Sequence, residues 1–191
     1  IISFFWQKFK DTFKIIFVGS VTDRKNPKII IESLETIDGN VSLEIIGQTP
    51  NLKYLKELNN LISSSKHAES ITMTPFIKAE ELISKYSSAN LFILPSKSEG
   101  LGRVIIEAQS TACPVLVSSN TGMVDLIIEN ETGYIFENNN KNDLSNKIQY
   151  IMNNYESALQ TGLNSKNFIK ENQSVANFEF GYKKLIDLVS I

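Results

Sequence analysis

The chain has one cysteine, Cys113, and one histidine, His67, among 191 residues. A lone cysteine excludes an internal disulfide and fits a reducing compartment. One histidine and one cysteine cannot supply a zinc ligand set, and they leave no nucleophile–histidine–acid constellation to argue. His67 lies in the polar stretch 63–70 and reads as a surface-loop residue, while Cys113, just before Pro114, reads as a small buried side chain. There is no Gly-x-x-x-x-Gly-Lys-Ser/Thr and no Gly-x-Gly-x-x-Gly. Those absences speak against a P-loop nucleotidase and a standard dinucleotide site. No Asp-x-Asp pair occurs, which weakens any metal-held diphosphate. The formal net charge of −2 gives no general electrostatic reason to expect nucleic acid. No apolar run approaches the ~20 residues that span a bilayer.

What is present is the composition of an ordinary globular protein, 42% apolar and 21% charged. The length suits one domain, or a domain and a half. The first residue is Ile1, so the chain reads as a piece of a longer protein. Its start, Ile1-Ile2-Ser3-Phe4-Phe5-Trp6-Gln7-Lys8-Phe9, is dense in aromatics. That segment reads either as a linker that packs on a domain or as a membrane-interface helix. It lacks the charged n-region and cleavage site of a signal peptide.

Short apolar runs alternate with helix-like stretches. Strands are predicted at 15–18, 43–46, 70–73, 91–94 and 114–117, with an edge strand at 134–136. Helices are predicted at 28–36, 52–64, 80–88, 103–111 and 124–129, with two or three more from Asp143 onward. Asn26 is a candidate N-cap and Pro27 a first-turn residue for the first helix. Continuous apolar strands between helices imply a doubly wound, Rossmann-like parallel sheet of about six strands with helices on both faces. The expected organisation is an N-terminal segment at 1–13, a domain at 14–173 and a terminal amphipathic helix within 174–191. In such folds ligands bind at the carboxyl ends of the strands. The loops at Gly19-Ser20, Gly47-Gln48, Pro95 to Gly102 and Ser118 to Gly122 all fall there.

The richest stretch is Pro95-Ser96-Lys97-Ser98-Glu99-Gly100-Leu101-Gly102-Arg103-Val104-Ile105-Ile106-Glu107-Ala108. Gly100 and Gly102 strip side chains from a strand-to-helix turn, so a ligand can approach the backbone. The helix start offers amide groups and partial positive charge to phosphate. Glu99 before the helix and Glu107 in its second turn could each accept hydrogen bonds from hydroxyls. As an ordinary surface they would be an N-terminal acid and a solvated helical Glu. A second loop, 19–27, brings Arg24 and Lys25 to the start of another helix. Cations there oppose the macrodipole unless an anion lies between, or else they are a solvated pair.

These residues in this order resemble the C-terminal, nucleotide-sugar-binding half of the group 1, retaining glycosyltransferases of GT-B fold. The resemblance runs from about Ile15 to Phe136 and more loosely to the end. It rests on Phe17-Val18-Gly19 with Lys25 six positions on, and on Leu43-Glu44-Ile45-Ile46-Gly47. It continues through Leu94-Pro95-Ser96, Glu99-Gly100-Leu101-Gly102 and Glu107-Ala108. Pro114-Val115, Gly122 and Asn130-x-x-Gly133 complete it.

The resemblance implies a donor site of Gly19, Ser20, Arg24, Lys25, Glu99, Gly100, Leu101, Gly102 and Glu107. Glu99 would hydrogen-bond the donor sugar and Glu107 the ribose hydroxyls. The amides of 100–102 would meet the diphosphate and sugar. Lys25 would neutralise the leaving diphosphate, so Lys25 and Glu99 are the catalytic candidates. It implies no divalent metal and no cofactor. It also implies a cytoplasmic setting and a glycan or lipid-linked acceptor bound by a missing N-terminal domain, where any peripheral membrane contact would lie. This half alone would bind donor weakly and transfer nothing. Bacterial surface polysaccharide or lipopolysaccharide synthesis is the setting by analogy.

The chain departs from the family pattern in four places. Ser20 stands where Arg is usual, which removes one phosphate cation unless Arg24 replaces it. Cys113 stands for Gly, Asn90 for Asp, and Met123-Val124-Asp125 for a Gly-hydrophobic-x-Glu pattern. A GT-B nucleotide-sugar epimerase half and a non-catalytic sugar-nucleotide-binding subunit remain alternatives.

Overall fold

The structure is a computed structural model and describes residues 12–100, 102–122 and 124–172. The aromatic segment at the start, the terminal helix expected within 174–191, and Leu101 and Met123 lie outside the described residues.

Six strands form one parallel sheet. They are β1 (Phe13–Val18), β2 (Val41–Ile46), β3 (Ile71–Thr74), β4 (Leu91–Leu94), β5 (Val115–Ser118) and β6 (Tyr134–Phe136). Their order is β3-β2-β1-β4-β5-β6, and every pairing is parallel. The order reverses between β1 and β4, so the crevice of a doubly wound sheet opens at their carboxyl ends.

Among the described residues there are six α-helices: α1 (Pro27–Leu34), α2 (Leu52–Ser64), α3 (Ala79–Ser88), α4 (Arg103–Ser110), α5 (Lys141–Asn153) and α6 (Tyr155–Asn172). Contacts link α1 with α2 and α5, and α4 with α3 and α6. A further contact joins α5 to α6, and helices cover both faces of the sheet, as the sequence pattern implies.

β4 and β5 are apolar up to Val117 and buried at every position, the mark of a strand covered on both faces. β2 instead alternates, with Ser42 and Glu44 half-buried. Glu44 Oε1 takes a hydrogen bond from Lys85 of α3 at 2.8 Å. An open groove of about 360 Å³ lies beside it, lined by Lys14, Ser42, Glu69 and Thr72 among others. The core centres on Phe13, Phe17, Phe92, Phe136, Tyr86 and Tyr134, all under 2% exposed. Burying each such side chain contributes about 1.5–3 kcal/mol.

Several boundaries and local details depart from expectation. β1 begins at Phe13, one residue inside the stretch read as N-terminal segment. The helix expected at 124–129 is a single 3-10 turn, Val124–Leu126. Asn26 does precede α1, but in the left-handed region (φ 52°) and with no side-chain cap. That conformation turns the amide away from the first turn, and Asn26 Nδ2 instead lies 3.5 Å from Asn139 Oδ1. His67 is half-buried rather than a loose surface residue, with its ring Nε2 3.1 Å from the Leu34 carbonyl oxygen at the end of α1. Cys113 is fully buried, as read. Asn90 accepts from the Lys14 amide at 2.8 Å and donates to Tyr155 Oη at 2.7 Å. A carboxylate could make the first of these bonds but could not donate the second.

Candidate functional site

The four loops named from sequence are stitched into one surface at the carboxyl ends of the strands. The Val21 amide donates to the Gln48 carbonyl at 2.8 Å, which joins the loops after β1 and β2. The Lys97 amide donates to the Arg24 carbonyl at 2.8 Å, which joins the loops after β1 and β4. The Gly122 amide donates to the Glu99 carbonyl at 2.7 Å, which joins the loops after β4 and β5. Lys97 Nζ adds an ion pair to Asp23 at 2.7 Å.

Two glycines permit these approaches. A Cβ on Gly47 would stand 1.8 Å from the Gly19 carbonyl oxygen, and one on Gly122 would stand 2.1 Å from that of Gly100. No side chain but hydrogen fits at either place. Around Gly100 itself a Cβ would meet nothing within 4 Å, so that backbone borders open space.

At the centre, Lys25 Nζ donates to Glu99 Oε2 in an ion pair whose side chains are 12% and 8% exposed. Ser96 Oγ donates to the same oxygen at 3.4 Å. Arg24 Nη1 stands 3.7 Å from it and donates to the Ser98 carbonyl at 2.8 Å. The Arg24 side chain is 54% exposed and borders solvent. Among the described residues, Glu99 Oε1 takes no hydrogen bond, which leaves an acceptor for an incoming hydroxyl. Ser20 is exposed beside Gly19 and brings no charge. The structure therefore assembles Gly19, Ser20, Arg24, Lys25, Glu99 and Gly100 around the switch point.

Gly102 caps α4 with no side-chain hydrogen bond to the helix start, and the first turn carries no acid. Those amides keep their capacity and their positive end of the dipole. Glu107 lies in the second turn of α4 and is exposed. Its Oε2 accepts from Tyr86 Oη at 3.2 Å. Burial first, and then the Glu107 carboxylate, push the Tyr86 phenol far above the ordinary tyrosine range. Asp125 is exposed on its 3-10 turn.

Sequence reasoning missed Tyr86, Lys97, Asp23, and Ser96 as a partner of Glu99. Ser96 was within reach, three positions before Glu99. The others come from helix and loop partners whose register no local motif encodes. Among the described residues no group of three His, Cys, Asp or Glu side chains could hold a metal ion. No described helix is long and apolar enough to cross a membrane. A second open cavity, about 480 Å³, lies after β2 and β3 between Gly47, Pro50, Leu55 and Pro75.

A parallel sheet in this order, with its side chains gathered at the switch point, defines one Rossmann-like half of a GT-B fold. Residues 1–168 match the family described as "Glycosyl transferases group 1", and the chain belongs to that family. It is 31% identical over 158 residues to the uncharacterized glycosyltransferase MJ1178 of Methanocaldococcus jannaschii, covering 82% of this chain and 43% of that protein. It is 31% identical over 150 residues to the capsular polysaccharide biosynthesis glycosyltransferase CapM of Staphylococcus aureus, covering 75% of this chain and 37% of CapM. The chain thus spans less than half the length of these curated relatives.

The fold matches Anabaena Alr3699/HepE, solved in complex with UDP and glucose, at a TM-score of 0.84 and 19% identity. That match covers 95% of this chain and 49% of the other. It also matches the C-terminal domain of the group 1 protein LpcC from Francisella tularensis. There the TM-score is 0.78 and the identity 20%, over 88% of this chain and 90% of that domain.

Proposed function

We propose that this chain is the donor-binding half of a retaining glycosyltransferase that uses a nucleotide-diphosphate sugar. The observation that carries the reading is the Lys25–Glu99 pair at the switch point, in a chain of the group 1 family. The complex of HepE with UDP and glucose supports this donor class.

In this reading the diphosphate lies over the α4 amides and the Gly100 backbone, facing Lys25 and Arg24. Glu107 takes the ribose hydroxyls. Glu99 Oε1 takes a hydroxyl of the donor sugar, with Lys25, Ser96 and Arg24 holding the carboxylate in place. As the bond from the anomeric carbon to the phosphate oxygen breaks, negative charge grows on the diphosphate. Lys25 stands ready to meet it, a preorganised electrostatic contribution. The acceptor hydroxyl attacks on the face the phosphate leaves, and its proton passes to that phosphate. The chain then needs no protein nucleophile and no divalent metal.

The acceptor would be a glycan or a lipid-linked sugar held by an N-terminal half. The work would be cytoplasmic, at the inner face of the membrane where the acceptor is lipid-linked. CapM supports surface polysaccharide synthesis as the setting, with lipopolysaccharide a related product class. Ser20 favours a second reading, a sugar-nucleotide-binding subunit without transfer, because it leaves one cation fewer at the phosphate. Arg24, 3.7 Å from Glu99 Oε2, offsets that loss.

Calorimetric titration with UDP, GDP and their common sugar conjugates, in the presence of a chelator, tests the reading. One-site binding weakened by Glu107→Ala supports it. Binding that needs a divalent ion, or that ignores Glu107→Ala, overturns it.

A further inference from the structure

Tyr86 is 1% exposed on α3, yet its hydroxyl reaches across to α4 and donates to Glu107 Oε2 at 3.2 Å. Its ring is fixed edge-to-face against Phe92 of β4, with centroids 5.7 Å apart and planes at 75°. Phe92 is itself fully buried. The phenol is therefore a rigid donor fixed to the sheet, while Glu107 is an exposed residue on a helix surface. An exposed Glu samples several rotamers and loses that freedom on gripping a ligand. A fixed donor on one carboxylate oxygen removes the freedom beforehand and leaves the other oxygen to accept.

The geometry points to Tyr86 as the positioning residue for Glu107, holding one carboxylate oxygen so that the other is aimed at the ligand's vicinal hydroxyls. The inference rests on the donor-site reading above. Tyr86 touches no ligand and acts only through Glu107. Burial and the neighbouring carboxylate keep its proton in place, so the direction of the hydrogen bond does not change across the physiological range. Phenylalanine would fill the same space and keep the contact with Phe92, so the hydroxyl can be tested apart from the packing.

The experiment is calorimetric titration of the chain with UDP and GDP, then with the 2′,3′-dideoxy form of whichever binds tighter. It compares the wild type, Tyr86→Phe, Glu107→Ala and the double variant. Tyr86→Phe is expected to weaken the ribonucleotide roughly 3- to 10-fold, the span of one hydrogen bond. It should leave the dideoxy ligand within about twofold and add nothing further in the Glu107→Ala background. Thermal melts of Tyr86→Phe report whether the fold is intact. Equal weakening of both ligands means a merely structural role and overturns the inference. So does an unchanged ribonucleotide affinity, or a further loss in the double variant. If Glu107→Ala weakens binding and Tyr86→Phe does not, only this inference fails. If neither nucleotide binds the wild type, or if Glu107→Ala is silent, the donor-site reading fails and this inference falls with it.

Discussion

Lys25 and Glu99, 74 positions apart in sequence, form an ion pair that joins the loop after β1 to the loop after β4. The pair stands where the strand order reverses, so one bond both ties the two halves of the sheet together and presents charge to the crevice. Little solvent reaches either side chain. Removing one partner leaves the other charge poorly compensated. We expect Lys25→Ala to lower stability by about 1–3 kcal/mol in urea unfolding. A Lys25→Met/Glu99→Leu double variant should recover much of that loss while losing nucleotide binding. A double variant less stable than either single change would contradict this.

Ser20 is exposed next to Gly19 and contributes no charge. Ser20→Arg adds a cation beside Lys25 and Arg24. Its predicted effect is tighter UDP binding by roughly 3- to 10-fold at low salt, shrinking as ionic strength rises. Titrations at low and high salt measure it. A salt-independent gain would point to some other cause.

Gly47 and Gly100 should respond in opposite ways to alanine. At Gly47 (φ +153°) a Cβ would overlap the Gly19 carbonyl oxygen. Gly47→Ala should cost more than ~2 kcal/mol of stability. At Gly100 the Cβ enters open space. Gly100→Ala should leave stability within about 0.5 kcal/mol, yet hinder a diphosphate that must approach the backbone. Melting curves and nucleotide titrations on the two variants separate the effects.

Tyr54 of α2 is 7% exposed, and burial pushes its phenol from 10.0 up to about 12. A raised folded pKa means that the neutral form is favoured by folding. Its stabilisation is fully present below pH 10 and is lost as pH climbs towards about 12. Tyr134 and Tyr155 shift in the same direction, also chiefly through burial. The urea midpoint should therefore hold steady from neutral pH and fall steeply above pH 10. Tyr54→Phe should make that fall shallower. An unchanged slope would show that Tyr54 is not the group responsible.

The sheet was legible because strands buried on both faces must be apolar throughout. Leu91 to Leu94 is such a run, and both of its ends were read correctly. β2 was legible only in its last four residues, since Ser42 on its half-covered face breaks the apolar run after Val41. Asn26 misled because residue preference suggested a cap while the backbone took a left-handed turn. At the site, the Glu99 and Glu107 spacing was visible along the chain. The partner that fixes Glu107 was not: Tyr86 lies on a different helix, and only the packing of α3 on α4 brings it within reach.

In the proposed donor complex a nucleotide diphosphate lies across the loops joined by Lys25 and Glu99. A titration with UDP and GDP, followed through backbone amide NMR signals of the ¹⁵N-labelled chain, locates that ligand. Saturable shifts are expected for Gly19 to Lys25, Glu99 to Gly102 and the start of α4, with Glu107 among them. Shifts confined to the groove of Lys14, Ser42, Glu69 and Thr72 would place the ligand on the wrong side of the sheet and contradict it.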